Sequence, residues 1–285
     1  MLGAIIGDAA GSYYEVLEIL NYKAAHKPRL YQDRMKIMDT SIPLFDKNSS
    51  VTDDSILTVA IADAIMSNVP YHYKLREYGL REMSLGKDIY GRSRFGSGFV
   101  AWLNGNYQGN SYGNGCTMRI SPVGFLFDDI VKIKEESYKA TIPSHNHESS
   151  IKCSEAVAIS IYLLRTGISK ENLKQFLETN YFSLAYDLEG LRMNYTFTSE
   201  AIKSVPQAIF CFLESNNFED AIRKAISIGG DSDTIATITG SLAEAYYGIP
   251  EEIIVYIKPY IKEYMLPIID KFYKKGNTKK YAKNN

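Results

Sequence analysis

The chain has 285 residues, 45% hydrophobic and 23% charged, a composition typical of a globular protein long enough to bury a substantial core. Its 32 basic and 33 acidic residues leave a formal net charge of -1, which excludes a global field that would draw the protein to nucleic acid or to an anionic membrane. The 3 cysteines have no CxxC spacing, so neither a disulfide framework nor a zinc site is indicated, and a reducing cytoplasm fits.

The N-terminal segment is apolar but meets Asp8 too early for a signal peptide or a membrane span, so we expect a soluble cytoplasmic protein.

Gly3, Gly7 and Gly11 are spaced by four, which on a helix makes one smooth face that another helix can approach closely. Thr52 is a good N-cap for the run TDDSILTVAIADAIM, in which apolar residues recur at helical spacing. The first part of the chain therefore predicts helices.

Between about Tyr90 and Gly124 the chain changes to Gly, Asn and Ser around a few aromatic residues. A long irregular segment of this kind is usually functional or disordered. Within it, the loop Ser111 to Arg119 (SYGNGCTMR) combines flexible glycines with an amide and a guanidinium, which can form an anion-binding nest for phosphates. The run HNHES from His145 favours a hydrogen-bonded turn over a zinc site, since His-x-His lacks a third nitrogen or sulfur ligand.

Helical patterns continue through the second half of the chain. Ser154 to Thr166 is one helix, closed by Gly167, and Ser169 opens the next. We expect a single all-α domain over residues 1–270, because no Pro/Gly/Ser-rich linker divides it. Residues 271–285 are lysine-rich and are predicted to be a solvated tail.

Three further helices are predicted. Ser204, Pro206 and Gln207 are typical of a capping box with proline in the first turn of a helix. Asn217 caps the run FEDAIRKAISI, and a last strong helix runs from about Thr234 to Tyr247.

Two acidic clusters stand at predicted helix starts, and each places two carboxylates beside a threonine hydroxyl. They consist of Thr52, Asp53 and Asp54, and of Asp231, Asp233 and Thr234. The helix dipole explains one first-turn acid, but two matching clusters favour a metal site. Oxygen ligands suit Mg²⁺, Mn²⁺ or Ca²⁺ rather than zinc, and two divalent ions would balance four carboxylates that otherwise repel. Glu15 would add a carboxylate if the N-terminal segment closes over this site.

These segments, in this order, resemble the ADP-ribosylglycohydrolase family, which includes the dinitrogenase reductase-activating glycohydrolases. The matching runs are GAIIGDAAGSYYE from Gly3, TDDS from Thr52, GNGCTMRISPVG from Gly113, SHNHES from Ser144 and GGDSDTIATITGSLAEAYYG from Gly229. The resemblance implies a compact, orthogonal helical bundle with two Mg²⁺ or Mn²⁺ ions in a metal-lined cleft. It also implies a hydrolase that cleaves the glycosidic bond at the distal ribose of ADP-ribosylated substrates and releases ADP-ribose.

The same resemblance assigns residues. The metal ligands would be Thr52, Asp53 and Asp54 for one ion and Asp231 and Thr234 for the other, with Asp233 bridging the two. Glu15 would be catalytic, with Asp53 or Asp54 as the alternative general base. Substrate would be bound by Gly113, Asn114, Gly115, Cys116, Thr117 and Met118, and by His147. The chain departs from the family pattern at Glu148, where proline is common, and at Ser55 and Ser232, where threonine is frequent.

The expected partner is an ADP-ribosylated protein or a small ADP-ribose conjugate, with no membrane and no general nucleic-acid binding. The linkage could be to arginine, serine, a base or a small metabolite, and a monomer is favoured while the oligomeric state stays open. Two alternatives remain: a two-metal phosphoesterase acting on a nucleotide, and a catalytically silent ADP-ribose binder. Retention of Glu15 and of all four aspartates argues against the silent binder.

Overall fold

The computed structural model describes residues 1–24, 27–88, 91–106 and 109–275. Within these ranges the chain forms fifteen α-helices and no β-strand, with two isolated β-bridges, so the prediction of an all-α fold is confirmed. In chain order the helices are α1 (Leu2–Ala24), α2 (Lys27–Met35), α3 (Asp53–Ser67), α4 (Tyr71–Ser84), α5 (Ser97–Leu103), α6 (Ser121–Leu126), α7 (Ile130–Thr141), α8 (Glu148–Arg165), α9 (Lys170–Asn180), α10 (Leu188–Asn194), α11 (Ala201–Leu213), α12 (Phe218–Ser227), α13 (Ser232–Tyr247), α14 (Glu251–Ile257) and α15 (Leu266–Lys275).

Helices α1 and α13 pack antiparallel and very closely, through the glycine face predicted for α1. A Cβ on Gly3 would overlap the carbonyl oxygen of Gly240. One on Gly7 would overlap the carbonyl of Ala236, and one on Gly11 would meet the backbone at the start of α13. Because only glycine lets the two backbones approach this far, this face determines where the first turn of α13 lies relative to α1.

Helix α13 lies at the centre of the molecule. Its residues from Ser232 to Glu244 are all buried, and α1, α8, α11 and α12 pack around it. A helix enclosed on every side must satisfy its polar groups internally, and Thr239 donates a hydrogen bond to the carbonyl of Ala208 on α11 at 2.9 Å. Although several helices are buried in this way, none in the described part of the chain is both long and apolar enough to cross a membrane.

Several predicted helix ends are confirmed. Helix α3 begins directly after Thr52, whose side chain caps it, and α9 begins after the cap Ser169. Asn217 caps α12 by accepting a hydrogen bond from the third residue of that helix. At its other end α13 stops at Gly248, which adopts a φ of 76°.

Two predicted helix starts are wrong. Helix α8 begins at Glu148 rather than at Ser154, which is buried in its interior, because His147 caps it. Helix α11 begins at Ala201, so Pro206 lies inside the helix and not in its first turn. The backbone N–H of Ala201 donates to the carbonyl of Tyr112, a contact with a distant loop that local patterns could not reveal.

The predicted solvated tail overlaps a packed helix. Helix α15 continues to Lys275, and the side chain of Phe272 is fully buried. Tyr273 accepts a hydrogen bond from the backbone of Leu2 at 2.8 Å, which ties this helix to the start of α1. Residues 276–285 lie outside the described residues, and the single-domain organisation stays a prediction.

Gly7→Ala should lower the free energy of unfolding by about 3 kcal/mol, the upper end of the cost of overpacking, because the added methyl group meets the backbone of α13. Urea denaturation measures the change. Gly98→Ala is the matched control, since a Cβ there meets nothing within 4 Å, and it should change stability by less than about 1 kcal/mol. A Gly7→Ala protein as stable as the parent would contradict the close packing of α1 on α13.

Candidate active site

Asp8 on α1 holds the first turn of α3. The backbone N–H and the hydroxyl of Thr52 both donate to its carboxylate at 2.8 Å, and the backbone N–H of Ser55 donates at 3.0 Å. The hydroxyl of Ser55 donates to it as well. These donors include N–H groups at the positive end of α3, where a carboxylate is stabilised by the helix dipole. The contact fixes the acidic start of α3 against α1.

The two predicted acidic clusters come together in space. Asp8, Asp54 and Asp233 bring carboxylate oxygens within 4.8 Å of one another, and Glu15, Asp231 and Asp233 form a second group by the same measure. Asp233 belongs to both groups, so the carboxylates from α1, α3 and α13 make one continuous acidic surface.

Two glycines and the side-chain amide of Asn114 position Asp231 at the start of α13. Gly229 and Gly230 have φ values of 77° and 74°, in the left-handed region that favours glycine. The side-chain amide of Asn114 donates to Asp231 at 2.7 Å and to Ser204 at 3.2 Å. This amide links the loop at 113–119 to the acidic cluster and holds the Asp231 carboxylate in place.

Burial and mutual repulsion raise the pKa values of the clustered carboxyl groups. Burial raises the pKa of Asp8 to about 6, although its hydrogen bonds oppose the shift. Burial and neighbouring carboxylates raise the pKa of Glu15 to about 7 and that of Asp53 to about 8. The pKa values of Asp54 and Asp233 lie well above their usual range for the same reasons. The cluster therefore requires protons or bound cations to balance its charge.

Arg92 is the basic partner of Glu15. Its guanidinium donates to the Glu15 carboxylate at 2.9 Å and, through Nε, to Asp88 at 2.8 Å. The backbone N–H of Arg92 also donates to Asp88 at 2.7 Å. The Glu15 side chain is only 15% exposed, so this ion pair limits the orientations that its carboxylate can adopt.

A cavity of about 320 Å³ opens beside the carboxylates, a size within the range of small-molecule sites. Four of the predicted substrate-binding residues line it, together with the acidic cluster: Gly113, Asn114, Gly115 and Met118. Cys116 and Thr117 are buried outside its lining, and the Thr117 hydroxyl donates to the carbonyl of Asn114 at 2.6 Å. Phe99 and Phe197 add aromatic surfaces to the cavity.

The histidine that lines this cavity is His145, not the predicted His147. His147 is exposed and caps α8, where its ring nitrogen accepts from the backbone N–H of Ser149 at 3.2 Å. Arg119 also lines the cavity, but its side chain is almost fully buried and donates to Ser144 at 2.7 Å. Burial lowers the pKa of Arg119 to about 10.

A second cavity of about 650 Å³ lies on the other side of the acidic cluster. The two cavities share Glu15, Asp53, Gly96 and Asp233 in their linings. The carboxyl groups of Glu15, Asp53 and Asp233 therefore border both cavities.

Sequence reasoning missed Asp8 and His145. Asp8 carried a usable signal: it lies seven residues before Glu15, two helical turns away, so both side chains share one face of α1. His145 carried none, because the choice between it and His147 depends on how residues 144–147 turn before α8 begins.

The fold and the site define a class: an all-α protein with a buried carboxylate cluster that borders two cavities. The sequence profile of the ADP-ribosylglycohydrolase family matches residues 1–281, and the chain belongs to this family, as predicted. The family supports hydrolysis of ADP-ribosyl compounds in general.

Two relatives agree with this assignment, and one solved structure has a similar fold. The chain is 26% identical over 273 residues to the ADP-ribosylarginine hydrolase Tri1 of Pseudomonas putida (strain GB-1), covering 87% of this chain and 70% of that protein. It is 24% identical over 323 residues to the ADP-ribosylhydrolase ARH3 of Homo sapiens, with coverage of 88% and 85%. A solved ADP-ribosylglycohydrolase-related protein complex matches 96% of this chain and 95% of its own with a TM-score of 0.68 at 18% identity, which supports the fold.

With a chelator present, the melting temperature should fall as pH rises from about 5 to about 8. Unfolded aspartates ionise near 3.8, whereas the folded cluster holds its protons to about 6 at Asp8 and about 8 at Asp53, so folding takes up protons in this range. The stability that this proton uptake contributes is complete at low pH and is lost as pH passes through the folded values. Thermal melts at several pH values measure the trend.

Asp54→Asn is the matched variant for this measurement, because it removes one buried carboxylate from the cluster. Its melting temperature should depend less steeply on pH than that of the parent. A parent melting temperature that rises over the same pH range would contradict the electrostatic description of the cluster.

Proposed function

We propose that this chain is a metal-dependent hydrolase that cleaves the glycosidic bond at the distal ribose of an ADP-ribosylated protein or small conjugate and releases ADP-ribose. The observation that carries the proposal is the sharing of Asp233 by two groups of three carboxylates. Two adjacent oxygen-donor groups with a common carboxylate are what a two-metal hydrolase requires. The printed names of the bacterial and human relatives support the substrate class.

The donor set fits two Mg²⁺ or Mn²⁺ ions. Every group in the cluster offers oxygen, the donor that these cations prefer. Within the described residues, Oδ1 of Asp54 is buried without a hydrogen-bond partner, an orphaned acceptor that a bound cation would satisfy. On this proposal the ions are held by Thr52, Asp53, Asp54, Asp231, Asp233 and Thr234, with Asp233 shared. Asp8, which already accepts from Thr52 and Ser55, holds the turn that carries these ligands.

Bound divalent ions would coordinate the ribose hydroxyls and lower the pKa of a water. We assign Glu15 to take a proton from the attacking water, since it borders both cavities and its carboxylate oxygen lies within 4.8 Å of those of Asp231 and Asp233. Nη1 of Arg92 donates a hydrogen bond to the Glu15 carboxylate at 2.9 Å and so positions it beside the cluster. Asp53, which also borders both cavities, is the alternative base.

Each of the two cavities would bind one part of the substrate. We assign ADP-ribose to the first cavity, where Gly113 and Gly115 leave room for its phosphates and Phe99 and Phe197 offer aromatic surfaces. The leaving group then lies in the second cavity. Its lining includes serines and the basic residues Arg92, Arg94 and Lys262 together with apolar side chains, so polar groups of a leaving group can be contacted there.

The location that we propose is the cytoplasm. All three cysteines, Cys116, Cys153 and Cys211, are buried and free, which suits a reducing compartment.

Asp231→Asn should reduce metal-dependent release of ADP-ribose by at least about 100-fold. Mutation of residues that only hydrogen-bond to metal ligands already lowers metal affinity or activity by about 10- to 100-fold, and loss of a ligand itself should cost more. Release is measured by chromatography of products from a panel of arginine-linked, serine-linked and small ADP-ribose conjugates, each with Mg²⁺ and with Mn²⁺. Asp53→Asn should behave in the same way, and circular dichroism should show an unchanged helical content in both variants.

The control is Asp63→Asn, because Asp63 is buried on the same helix as Asp53 but pairs with Lys74 and Tyr78 outside the cluster. This variant should retain turnover. Normal activity in the double variant Asp53→Asn, Asp231→Asn would show that the site is misassigned. AMP or phosphate as the product would favour a phosphoesterase, and binding of ADP-ribose without turnover would favour a silent binder.

Glu15→Gln should lower kcat by about 100-fold or more, the usual contribution of a positioned general base, while the metal affinity changes little. Calorimetric titration with Mn²⁺ beside a rate assay separates the two effects. A large loss of metal affinity with little loss of kcat under saturating metal would assign Glu15 to metal binding instead of proton transfer.

A further inference from the structure

Three buried side chains in the wall of the first cavity are connected by hydrogen bonds. Nη2 of Arg119 donates to the hydroxyl of Ser144 at 2.7 Å. The same hydroxyl lies 2.7 Å from Nδ1 of His145. Arg119, Ser144 and His145 are all buried, at 1%, 3% and 7% exposure, so water does not compete for these contacts.

The chemistry of these groups determines where the protons lie. A guanidinium can only donate, so the Ser144 oxygen accepts from Arg119. The hydroxyl has one proton of its own, and within the described residues its remaining partner is Nδ1 of His145. Donation to Nδ1 satisfies both groups, whereas a protonated Nδ1 would leave the hydroxyl proton without an acceptor. A neutral imidazole with Nδ1 as acceptor carries its proton on Nε2.

We infer that Arg119 and Ser144 are positioning residues that fix the tautomer of His145, so that its Nε2–H is a permanent hydrogen-bond donor to an oxygen of the bound ligand. Burial and the nearby positive charge of Arg119 hold the pKa of His145 well below its usual range, which keeps the ring neutral. The Arg119 guanidinium, which the sequence suggested for phosphate binding, contacts His145 through Ser144, while its Nε and Nη1 have no hydrogen-bond partner among the described residues.

Nε2 of His145 is open to the cavity. No described residue accepts a hydrogen bond from it, although the ring lines the cavity. The positions that a Cβ would take on Gly115 and Gly113 lie 3.3 Å and 3.7 Å from Nε2. Glycine at both positions therefore leaves the space in front of the donor free for a ligand atom. The identity of that ligand as ADP-ribose depends on the proposed function, but the tautomer of His145 does not.

The tautomer is measured directly by two-bond ¹H–¹⁵N correlation spectra of the full chain labelled with ¹⁵N-histidine. The chain has 4 histidines, and His145→Gln identifies the signal of interest. The parent should show a protonated Nε2 and an unprotonated Nδ1 at His145. Ser144→Ala should give a mixture of tautomers, and Ser144→Thr, which keeps the hydroxyl, should restore the single one. A protonated Nδ1 in the parent, or an unchanged tautomer in Ser144→Ala, would overturn the inference.

The consequence for the ligand is measured by calorimetry with ADP-ribose and by steady-state kinetics. Ser144→Ala should weaken ADP-ribose binding and raise KM by about 3- to 10-fold, the usual value of one hydrogen bond, with kcat changed less than KM. Ser144→Thr should bind within about 2-fold of the parent. Unchanged binding in Ser144→Ala despite a mixed tautomer would overturn the ligand role. Failure of the parent itself to bind ADP-ribose would count against the proposed function and leave the tautomer measurement intact.

Discussion

The close antiparallel packing of α1 on α13 is the constraint on which the site depends. At Gly3, Gly7 and Gly11 a Cβ would overlap the backbone of α13, so only glycine at these positions lets the two helices approach this closely. The packing sets the register of the two helices and brings the start of α13 beside Asp8 and Glu15. Because Asp8 also holds the first turn of α3, one helix positions the acidic ends of the other two.

The same packing has an electrostatic cost. Carboxylates that α1, α3 and α13 bring within 4.8 Å of one another repel, and burial raises the pKa of each of them. Such a cluster does not stabilise the fold, so a binding role is the physical reason to maintain it. Asn114 on Asp231 and Arg92 on Glu15 orient individual carboxylates, and the single positive charge of Arg92 offsets only part of the negative charge of the cluster. The neutral donor on His145 likewise adds no charge to the adjoining cavity.

Much of this structure could be predicted from the sequence where local chemistry decides it. The N-cap Thr52, the glycine face of α1 and the end of α13 at Gly248 follow from short-range rules and are confirmed. Predictions failed where a distant contact decides. Ala201 starts α11 because a remote carbonyl accepts its N–H. The turn of residues 144–147 decides that His145 lines the cavity, and the sequence pattern does not choose between His145 and His147. The spacing of Asp8 and Glu15 places both on one face of α1, but the hydrogen bonds of Asp8 to the first turn of α3 follow only from the packing of the two helices.

The central claim is that the acidic starts of α3 and α13 form a single cation-binding site around Asp233. Electron paramagnetic resonance of the protein titrated with Mn²⁺, compared with Asp233→Asn, tests it most directly. The account predicts two bound, magnetically coupled Mn²⁺ ions in the parent and loss of the coupled signal in the variant. Absence of bound Mn²⁺ in the parent, or the same coupled signal in Asp233→Asn, would contradict it.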